Sequence, residues 1–420
     1  MPLTIYAEFQ AEPRERSTVA VVGLGYIGLP TAAALAAAGH KVIGYDIDPK
    51  VTKALNDGEC HLVEPGLDEL VRTQRQAGAL EATNTPPDAD VYLIAVPTPI
   101  KPEAGPDLSY VFAAADAIAP RLRPGALVVL ESTSPVGATR EMIARMAQAR
   151  PDLNLPAPGR PEAEVDIDVV YSPERVIPGR TLEELSTNAR VVGGATPRAA
   201  VRAAAIYRTL TKGELLLTDD RSAEFVKLAE NAFRDVNIAF ANELSLICDQ
   251  LGLNVWEIIQ LANHHPRVNM LRPGPGVGGH CIAVDPWFIV AQAPETARLI
   301  RTAREINDAK PRFVIDRACA LMDADPQLEL ACLGLAFKPD VDDFRESPAF
   351  NIARALTALY PGRVVCAEPY SHALPEGHGL TLVDLEAALS RPAAVALVAH
   401  SDFRAAARPA TVIDACGLWS

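Results

Sequence analysis

A cysteine with an aspartate four residues after it lies in a stretch rich in glycine and proline, Pro273-Gly274-Pro275-Gly276-Val277-Gly278-Gly279-His280-Cys281-Ile282-Ala283-Val284-Asp285. Glycine permits positive φ and a close approach of the backbone to a ligand, and proline stiffens a loop. A thiolate held out by such a loop is a candidate nucleophile. A buried structural cysteine beside a tight turn is the alternative, because free cysteine is among the most buried residue types. The stretch alone leaves both interpretations open.

A lysine and an asparagine four residues apart, Lys227 and Asn231, lie in a long helical pattern over residues 222–251. Residues with this spacing project from one face of a helix, and we expect this pair to point where a second domain meets the first. A solvated lysine with a nearby amide is the alternative. Apolar residues at helical spacing predict the packed face of the same helix: Phe225, Leu228, Ala232, Val236 and Ala239.

A short apolar strand over residues 18–22 runs directly into Gly23-Leu24-Gly25-Tyr26-Ile27-Gly28, and an alanine-rich helix and a second strand that ends at Asp46 follow. This order is typical of a dinucleotide-binding Rossmann fold. Gly23 and Gly25 permit the tight turn and the approach of a pyrophosphate, whose charge the helix N-terminus stabilises. Gly28 lets the helix pack closely on the strand. Asp46 is expected to accept hydrogen bonds from ribose hydroxyls and to repel a 2′-phosphate, which favours NAD over NADP.

Further apolar strands end in polar residues that a cofactor or substrate can contact. Thr98, Thr133 and the pair Glu174-Arg175 each follow such a strand. In a doubly wound sheet the ligand lies at the carboxyl ends of the strands, so these residues are expected to line the nicotinamide side of the site. Ordinary turn chemistry is the alternative for the threonines, and a surface ion pair is the alternative for Glu174.

A second α/β unit follows a helix over residues 297–322. It lacks a GxGxxG turn, and Lys338 and Arg345 lie on a loop after its first strand, where they suit a phosphate or a sugar hydroxyl. An internal salt-bridge cluster with neighbouring aspartates is the alternative. Arg267 is a candidate anion clamp. The adjacent His264-His265 pair has no matching ligand cluster nearby, so no metal site is predicted.

Composition limits the class of protein. The chain has 420 residues, a net charge of −14 and 7 cysteines without CxxC spacing. We expect two or three domains, no nucleic-acid partner and reduced thiols in the cytoplasm. No apolar run is long enough for a membrane span. Residues 1–16 carry charges of both signs and are interpreted as a polar extension rather than a signal peptide.

Together these motifs resemble the UDP-glucose/GDP-mannose dehydrogenase family over nearly the whole chain. The resemblance includes several separate motifs in the family order: the glycine turn, Glu131-Ser132-Thr133-Ser134-Pro135-Val136-Gly137, Ser172-Pro173-Glu174, Lys227 with Asn231, Gly278-Gly279-His280-Cys281 with Asp285, and Phe337-Lys338-Pro339 through Arg345-Glu346-Ser347-Pro348.

The resemblance implies a four-electron oxidation of the C6 alcohol of a nucleotide sugar to a carboxylate, with two NAD used in turn. Lys227 and Asn231 would stabilise the oxyanion, and Cys281 would form a thiohemiacetal and then a thioester. Asp285 or Glu174 would be the base for hydrolysis, and Thr133 is carried over as a further catalytic residue. The cofactor residues would be Gly23, Gly25, Tyr26, Ile27, Gly28, Asp46, Thr98, Thr133 and Arg345. The residues that bind a UDP-sugar would be Glu174, Arg175, Lys227, Asn231, Arg267, Gly278 and Lys338.

The family has branches with different sugars. His265-Pro266-Arg267-Val268-Asn269 and the residues after Cys281 look like the branch that oxidises UDP-N-acetyl-D-mannosamine. Pro178 stands where UDP-glucose dehydrogenases carry a second glutamate, which counts against UDP-glucose. UDP-N-acetylglucosamine and UDP-glucose 6-dehydrogenases remain alternatives within the family. A two-electron β-hydroxyacid dehydrogenase and a non-catalytic NAD-binding regulator are alternatives outside it.

The predicted fold class is α/β, with an N-terminal Rossmann domain, a central helical domain that carries the long helix, and a C-terminal Rossmann-like nucleotide-sugar domain. The predicted boundaries are 17–212, 213–308 and 309–420, after the extension 1–16. The long helix is expected to pair with its copy in a homodimer.

Overall fold

The computed structural model describes residues 16–62, 64–101, 105–177, 179–279 and 281–420. Nearly all of the N-terminal extension, as well as Pro178 and His280, therefore lies outside the described residues. The chain divides into two compact units, one up to Leu228 and the other Ala229–Ser420.

The first unit alternates strands and helices. Its strands are β1 Thr18–Val22, β2 Lys41–Tyr45, β3 Leu80–Thr83, β4 Val91–Ile94, β5 Leu127–Leu130, β6 Asp168–Tyr171, β7 Arg190–Gly194 and β8 Leu215–Asp219. Its helices are α1 Gly28–Ala37, α2 Pro49–Asn56, α3 Leu67–Gln76, α4 Ser109–Ile118, α5 Ala138–Ala149, α6 Thr181–Thr187 and α7 Pro197–Tyr207.

These strands form one sheet in the order β3-β2-β1-β4-β5-β6-β7-β8. All neighbours are parallel except β6 and β7, which are antiparallel. Apolar side chains of the sheet pack into two aliphatic clusters, as expected of a sheet covered by helices on both faces. The order of the strands along the sheet changes direction between the parallel strands β1 and β4, whose carboxyl ends are followed by the glycine turn and by Thr98. That position is where doubly wound sheets bind ligands.

The second unit contains the long helices and a smaller sheet. Helix α8 Asp220–Leu251 enters it from the first unit, and α9 Val255–Ala262, α10 Asp285–Gln292 and α11 Arg298–Ala324 follow. The remaining elements are β9 Leu330–Leu333, α12 Pro348–Leu359, β10 Val364–Ala367, α13 Leu385–Leu389, β11 Ala393–Ala396 and β12 Thr411–Asp414. The sheet is fully parallel, in the order β10-β9-β11-β12. The predicted fold class is confirmed.

Helix α8 has two apolar faces, whereas the sequence pattern predicted one. Leu228, Ala232 and Ala239 are buried as predicted. The prediction was wrong for Phe225, which is 49% exposed. It lies with a second set of apolar residues that face away from the core, and helical periodicity alone does not distinguish a covered face from an exposed one.

Candidate functional site

The glycine turn after β1 is built from tight backbone contacts. The Gly23 N–H donates to the Tyr45 carbonyl of β2 at 2.8 Å. The Leu24 N–H donates to the Asp46 carboxylate at 2.8 Å, and the Asp48 N–H donates to its other oxygen at 2.9 Å. The turn and the acid are thus fixed beside each other, at the N-terminus of α1.

The first and last positions of the turn require glycine for steric reasons. Gly23 has φ +91°, and a Cβ there would lie 2.6 Å from the Ala95 carbonyl oxygen. A Cβ on Gly28 would lie 1.8 Å from the Gly23 carbonyl oxygen. At Gly25, in contrast, a Cβ would meet nothing within 4 Å. Gly25 is exposed, so its lack of a side chain leaves open space above the turn.

This contrast predicts different defects at the two positions. Gly28→Ala is expected to lower the free energy of unfolding by about 2–3 kcal/mol, because the backbone must move to accommodate the methyl group. Gly25→Ala is expected to leave the melting temperature unchanged and to weaken NAD binding about tenfold, because the methyl group occupies the approach of the pyrophosphate. Thermal unfolding and calorimetric titration with NAD measure both effects. Equal melting temperatures for the two variants would contradict this account.

Thr98 and Thr133 follow the neighbouring strands β4 and β5, and both are half-buried. The loops that carry them are joined by Ser132, whose hydroxyl donates to the Val96 carbonyl at 2.7 Å and accepts from the Val96 N–H at 3.0 Å. The structure therefore brings the two threonine loops together at the carboxyl edge of the sheet, as the strand pattern predicted.

Glu174 follows β6 and is buried. The Lys227 ammonium donates to its backbone carbonyl at 2.8 Å, and the Val176 N–H donates to its carboxylate. Burial raises the pKa of Glu174 above its ordinary value, although Arg190 and the Val176 N–H oppose the shift. A raised pKa makes the Glu174 carboxylate a stronger base than an ordinary carboxylate. Arg175 donates to the Ala189 carbonyl at 3.1 Å.

A buried cluster that the sequence analysis did not single out supports Glu174. The Arg190 guanidinium lies 2.9 Å from the Glu131 carboxylate and 3.4 Å from that of Glu174. It also lies over the Tyr207 ring, 4.3 Å from the centroid, and the Tyr207 hydroxyl donates to Glu131 at 2.7 Å. Burial and the Glu131 charge raise the pKa of Tyr207, so the phenol keeps its proton. In the sequence, this cluster is indicated only by Arg190, a charged residue at the start of the apolar strand β7.

In the second unit, the structure joins three of the predicted site residues. Asp285 is buried at the first position of α10, and its N–H donates to the Cys281 carbonyl at 2.8 Å. Cys281 is partly exposed and is not in a disulfide. The Asn231 side-chain amide donates to the Asp285 carboxylate. Cys281 and Asp285 therefore lie at the two ends of one turn of backbone. Asn231 on α8 fixes the Asp285 carboxylate by its hydrogen bond.

The glycines before Cys281 pack closely against protein. A Cβ on Gly278 would lie 2.7 Å from the Glu346 carbonyl oxygen and 2.7 Å from Pro348 Cδ, and one on Gly279 would lie 3.1 Å from the Phe337 ring. Gly279 also has φ +80°. These glycines therefore let the cysteine loop pack on residues at both ends of the β9–α12 loop, residues 334–347. The sequence pattern predicts instead that these glycines let the backbone approach a ligand.

Lys338 and Arg345 lie on that β9–α12 loop. Lys338 is half-buried, with its ammonium 5.7 Å from the Phe337 ring centroid. Arg345 is exposed and donates to the Asp343 carboxylate at 2.9 Å, one of the contacts foreseen in the salt-bridge alternative. Arg267 is exposed on the loop after α9, and its N–H donates to His265 Nδ1 at 3.3 Å.

Three family models match nearly the whole chain. They are the NAD binding domain (residues 17–211), the central domain (221–309) and the UDP binding domain (331–420) of the UDP-glucose/GDP-mannose dehydrogenase family. The chain belongs to this family. Family members are NAD-dependent nucleotide-sugar dehydrogenases, so the predictions of the family, the enzyme class and the cofactor are confirmed.

Relatives within the family differ in the sugar that their names give. The chain is 53% identical to UDP-N-acetyl-D-mannosamine dehydrogenase of Salmonella typhi, over 96% of this chain and 99% of the relative. It is also 53% identical to NDP-N-acetyl-D-galactosaminuronic acid dehydrogenase of Ralstonia nicotianae, over 96% of each. A solved structure of UDP-D-ManNAc dehydrogenase from Pyrococcus horikoshii superposes with a TM-score of 0.84 at 36% identity, covering 96% of both chains.

The family's cofactor fits the residues of the first unit. The open space above Gly25, the N-terminus of α1 and the fixed Asp46 carboxylate form a cradle of the kind that receives pyrophosphate and ribose. Among the described residues, no group of three or more histidine, cysteine or acidic side chains is placed to hold a metal ion. Within the same part of the chain, no helix is long and apolar enough to cross a membrane.

Proposed function

We propose that this chain oxidises the C6 alcohol of UDP-N-acetyl-D-mannosamine to UDP-N-acetyl-D-mannosaminuronate, in two steps that each use one NAD. The proposal rests on the hydrogen bonds that join Cys281, Asp285 and Asn231. A thiol and a carboxylate that share a turn supply the nucleophile and the base needed to convert an aldehyde into an acid. The match of residues 331–420 to a UDP binding domain supports the nucleotide part of the substrate.

In the proposed first step, the C6 hydroxyl loses its proton and the carbon loses a hydride. Bound NAD would supply the hydride acceptor for this step and for the second. Lys227 or a water beside it takes the proton, and Lys227 and Asn231 stabilise the negative charge that develops on oxygen. Both side chains project from α8, one helical turn apart.

In the proposed second step, the Cys281 thiolate adds to the aldehyde carbon and forms a thiohemiacetal. Loss of hydride from that carbon leaves a thioester on Cys281. Asp285 or Glu174 removes a proton from water, which attacks the thioester carbonyl and releases the acid and the thiolate. The raised pKa of Glu174 and the position of Asp285 beside Cys281 support these two carboxyl groups as the bases.

The remaining site assignments belong to the same proposal. Thr98, Thr133 and the glycine turn with Asp46 would contact NAD, with Arg345 as a further contact. Arg175, Arg267, Gly278 and Lys338 would contact the UDP-sugar. The proposed domains are 17–212, 213–308 and 309–420, and the matched family models cover similar ranges. We propose the cytoplasm as the location, which the absence of disulfides among the seven cysteines supports.

The proposal is tested by counting NADH formed per nucleotide sugar consumed. UDP-N-acetyl-mannosamine, UDP-N-acetylglucosamine, UDP-glucose and GDP-mannose are compared side by side, and the expected result is two NADH with the first of these. One NADH per sugar would contradict the four-electron reaction and support the two-electron alternative. Turnover of none of them, with intact NAD binding, would support a non-catalytic regulator.

UDP-N-acetylgalactosamine is a second candidate substrate. The Ralstonia relative, whose name contains N-acetyl-D-galactosaminuronic acid, is as similar to this chain as the Salmonella relative. Including this sugar in the comparison separates the two, because they differ in configuration at C2 and C4. Preference for it would keep the mechanism and change the substrate.

We also propose that α8 pairs with its copy in a homodimer. Phe233 is 72% exposed, and Phe240, Ile247 and Leu251 continue the same stripe with exposures of 48%, 44% and 67%. The first three are spaced by seven residues, so they lie on one side of the helix. A stripe of this kind is self-complementary across a two-fold axis, and large exposed apolar patches mark protein interfaces.

Phe240→Asp is expected to halve the mass of the protein in solution, because it places a charge at the centre of the stripe. Arg234→Glu also places a negative charge on an exposed residue of α8, and it is the matched control because Arg234 is not three, four or seven residues from any member of the stripe. Light scattering coupled to size-exclusion chromatography measures the mass. A monomeric wild type, or a dimer that survives Phe240→Asp, would contradict the pairing.

A further inference from the structure

A buried glutamate and a buried histidine link three strand ends of the second unit. Glu368 directly follows β10, and His400 follows β11 by four residues. The side chains of both are fully buried, and His400 Nε2 lies 3.2 Å from Glu368 Oε2. No motif singled out in the sequence includes either residue, and the proposed mechanism uses neither.

Glu368 holds the start of the β9–α12 loop. Its Oε2 accepts from the Leu335 N–H at 2.6 Å and from the Ala336 N–H at 3.2 Å. Its Oε1 accepts from the Tyr370 N–H at 3.0 Å. Burial alone would raise the pKa of Glu368, but the hydrogen bond from His400 and these N–H groups lower it below its ordinary value. The carboxylate is therefore ionised and saturated with donors.

His400 holds the middle of the same loop. The Asp340 N–H donates to His400 Nδ1 at 3.0 Å. Because a backbone N–H is always a donor, Nδ1 must carry a lone pair, and the ring proton is on Nε2, where it donates to Glu368. Asp340 has φ +60°, and its carboxylate accepts from the Ser401 N–H at 2.8 Å and from the Ser401 hydroxyl at 2.9 Å. A non-glycine residue at positive φ costs free energy that its contacts must offset.

We infer that His400 is a positioning residue for nucleotide binding: through Asp340 it fixes the β9–α12 loop that presents Lys338 to the diphosphate or uridine of the substrate. The loop is held at two points. At its start, the Leu335 and Ala336 N–H groups donate to Glu368, and at Asp340 it is held by hydrogen bonds to His400 and Ser401. Without the second link, Asp340 can leave its positive φ, and Lys338, two residues before it, loses its fixed position. This inference rests on the proposed binding of UDP by that loop.

Two variants of His400 separate its two hydrogen bonds. In His400→Asn the amide oxygen takes the place of Nδ1 and can accept from the Asp340 N–H, but the link to Glu368 is lost. In His400→Gln the amide nitrogen takes the place of Nε2 and can donate to Glu368, but the link to Asp340 is lost. The variants match in the number of hydrogen bonds removed, so a purely structural role predicts similar melting temperatures and similar function.

UDP binding is measured by calorimetry on the full-length wild type and both variants, and KM for the nucleotide sugar is measured against kcat. We expect His400→Asn to bind UDP within about threefold of the wild type and His400→Gln about tenfold more weakly, which is the loss of one effective hydrogen bond. KM for the nucleotide sugar should rise in His400→Gln while kcat stays unchanged. Equal UDP affinity in both variants, whether reduced or not, overturns the inference.

Asp340→Gly provides a test on an exposed residue that does not disturb the buried pair. Glycine accepts positive φ, so only the link to Ser401 is lost. UDP binding is expected to weaken about threefold to tenfold at an unchanged melting temperature. Because this variant keeps the backbone N–H that donates to His400, a loss of UDP affinity larger than that of His400→Gln would overturn the inference. Failure of the wild type itself to bind UDP would instead overturn the proposed function.

Discussion

Replacement of Cys281 by alanine is expected to reduce release of the acid product, and with it formation of the second NADH, by at least about 10³-fold, a loss typical of removing a catalytic nucleophile. The reason lies in the second half of the reaction. An aldehyde that cannot add to a thiolate forms no thioester, so no acid is released. Any residual turnover is expected to stop at one NADH per sugar.

The matched control is Cys319→Ala, which removes another partly exposed thiol from the same unit. Cys319 lies on α11, away from the proposed chemistry, and its variant should retain wild-type turnover. NAD and UDP binding should be intact in both variants, which separates a chemical defect from a folding defect. Production of the acid by Cys281→Ala at the wild-type rate would mean that this cysteine is structural.

Replacement of Arg190 by methionine is expected to cost about 3–5 kcal/mol of folding free energy, because it leaves buried carboxylates without their cation. Arg190 is 5% exposed and contacts both Glu131 and Glu174. A double variant with Glu131→Gln should recover part of the loss, since glutamine removes one buried charge and still accepts the Tyr207 hydrogen bond. Chemical denaturation measures the free energy of unfolding of the wild type, Arg190→Met and the double variant.

The loss of stability in Arg190→Met should depend on pH. The pKa of Glu174 is already raised by burial, and removal of the guanidinium raises it further. The folded state then holds its proton to higher pH than the unfolded state, so stability is greatest below the unfolded pKa of about 4.3 and falls as the pH rises through the folded pKa. The defect should therefore be larger at pH 8 than at pH 5.

The control for this prediction is Arg180→Met. Arg180 is exposed and pairs with the exposed Glu183, and solvent screening leaves surface ion pairs of this kind with little effect on stability. The prediction for Arg190 is wrong if the two variants unfold at the same denaturant concentration, or if the Arg190→Met defect is independent of pH.

The parts of this structure that could be predicted from the sequence are those with a local motif. The glycine turn with Asp46, the two parallel sheets and the long helix each have a signature within about 30 residues of sequence. The contact of Asn231 with Asp285 was not predicted as such, although both residues were assigned to the site. The two lie 54 residues apart in the sequence, and only the tertiary structure brings them together.

The residues that the sequence analysis missed are buried and polar. Arg190, Tyr207, Glu368 and His400 all lie at elements whose patterns are otherwise apolar, and each finds its partner on another element. Periodicity identifies apolar faces, but it does not show which buried polar groups meet. The exposed apolar face of α8 was missed for a related reason, because helical periodicity does not distinguish an exposed apolar face from a covered one.

The packing of Gly278 and Gly279 against Phe337, Glu346 and Pro348 has a consequence for protein engineering. Nucleotide-sugar dehydrogenases invite the construction of chimeras in which the C-terminal domain of one member is transplanted into another to change specificity. In such a chimera, Gly278 and Gly279 would come from one protein and residues 337, 346 and 348 from the other. The contact between them leaves no room for a Cβ on Gly278, so a bulkier residue at 337, 346 or 348 would also displace the loop that carries Cys281. Segments 276–285 and 334–348 should therefore be taken from the same parent protein in any chimera.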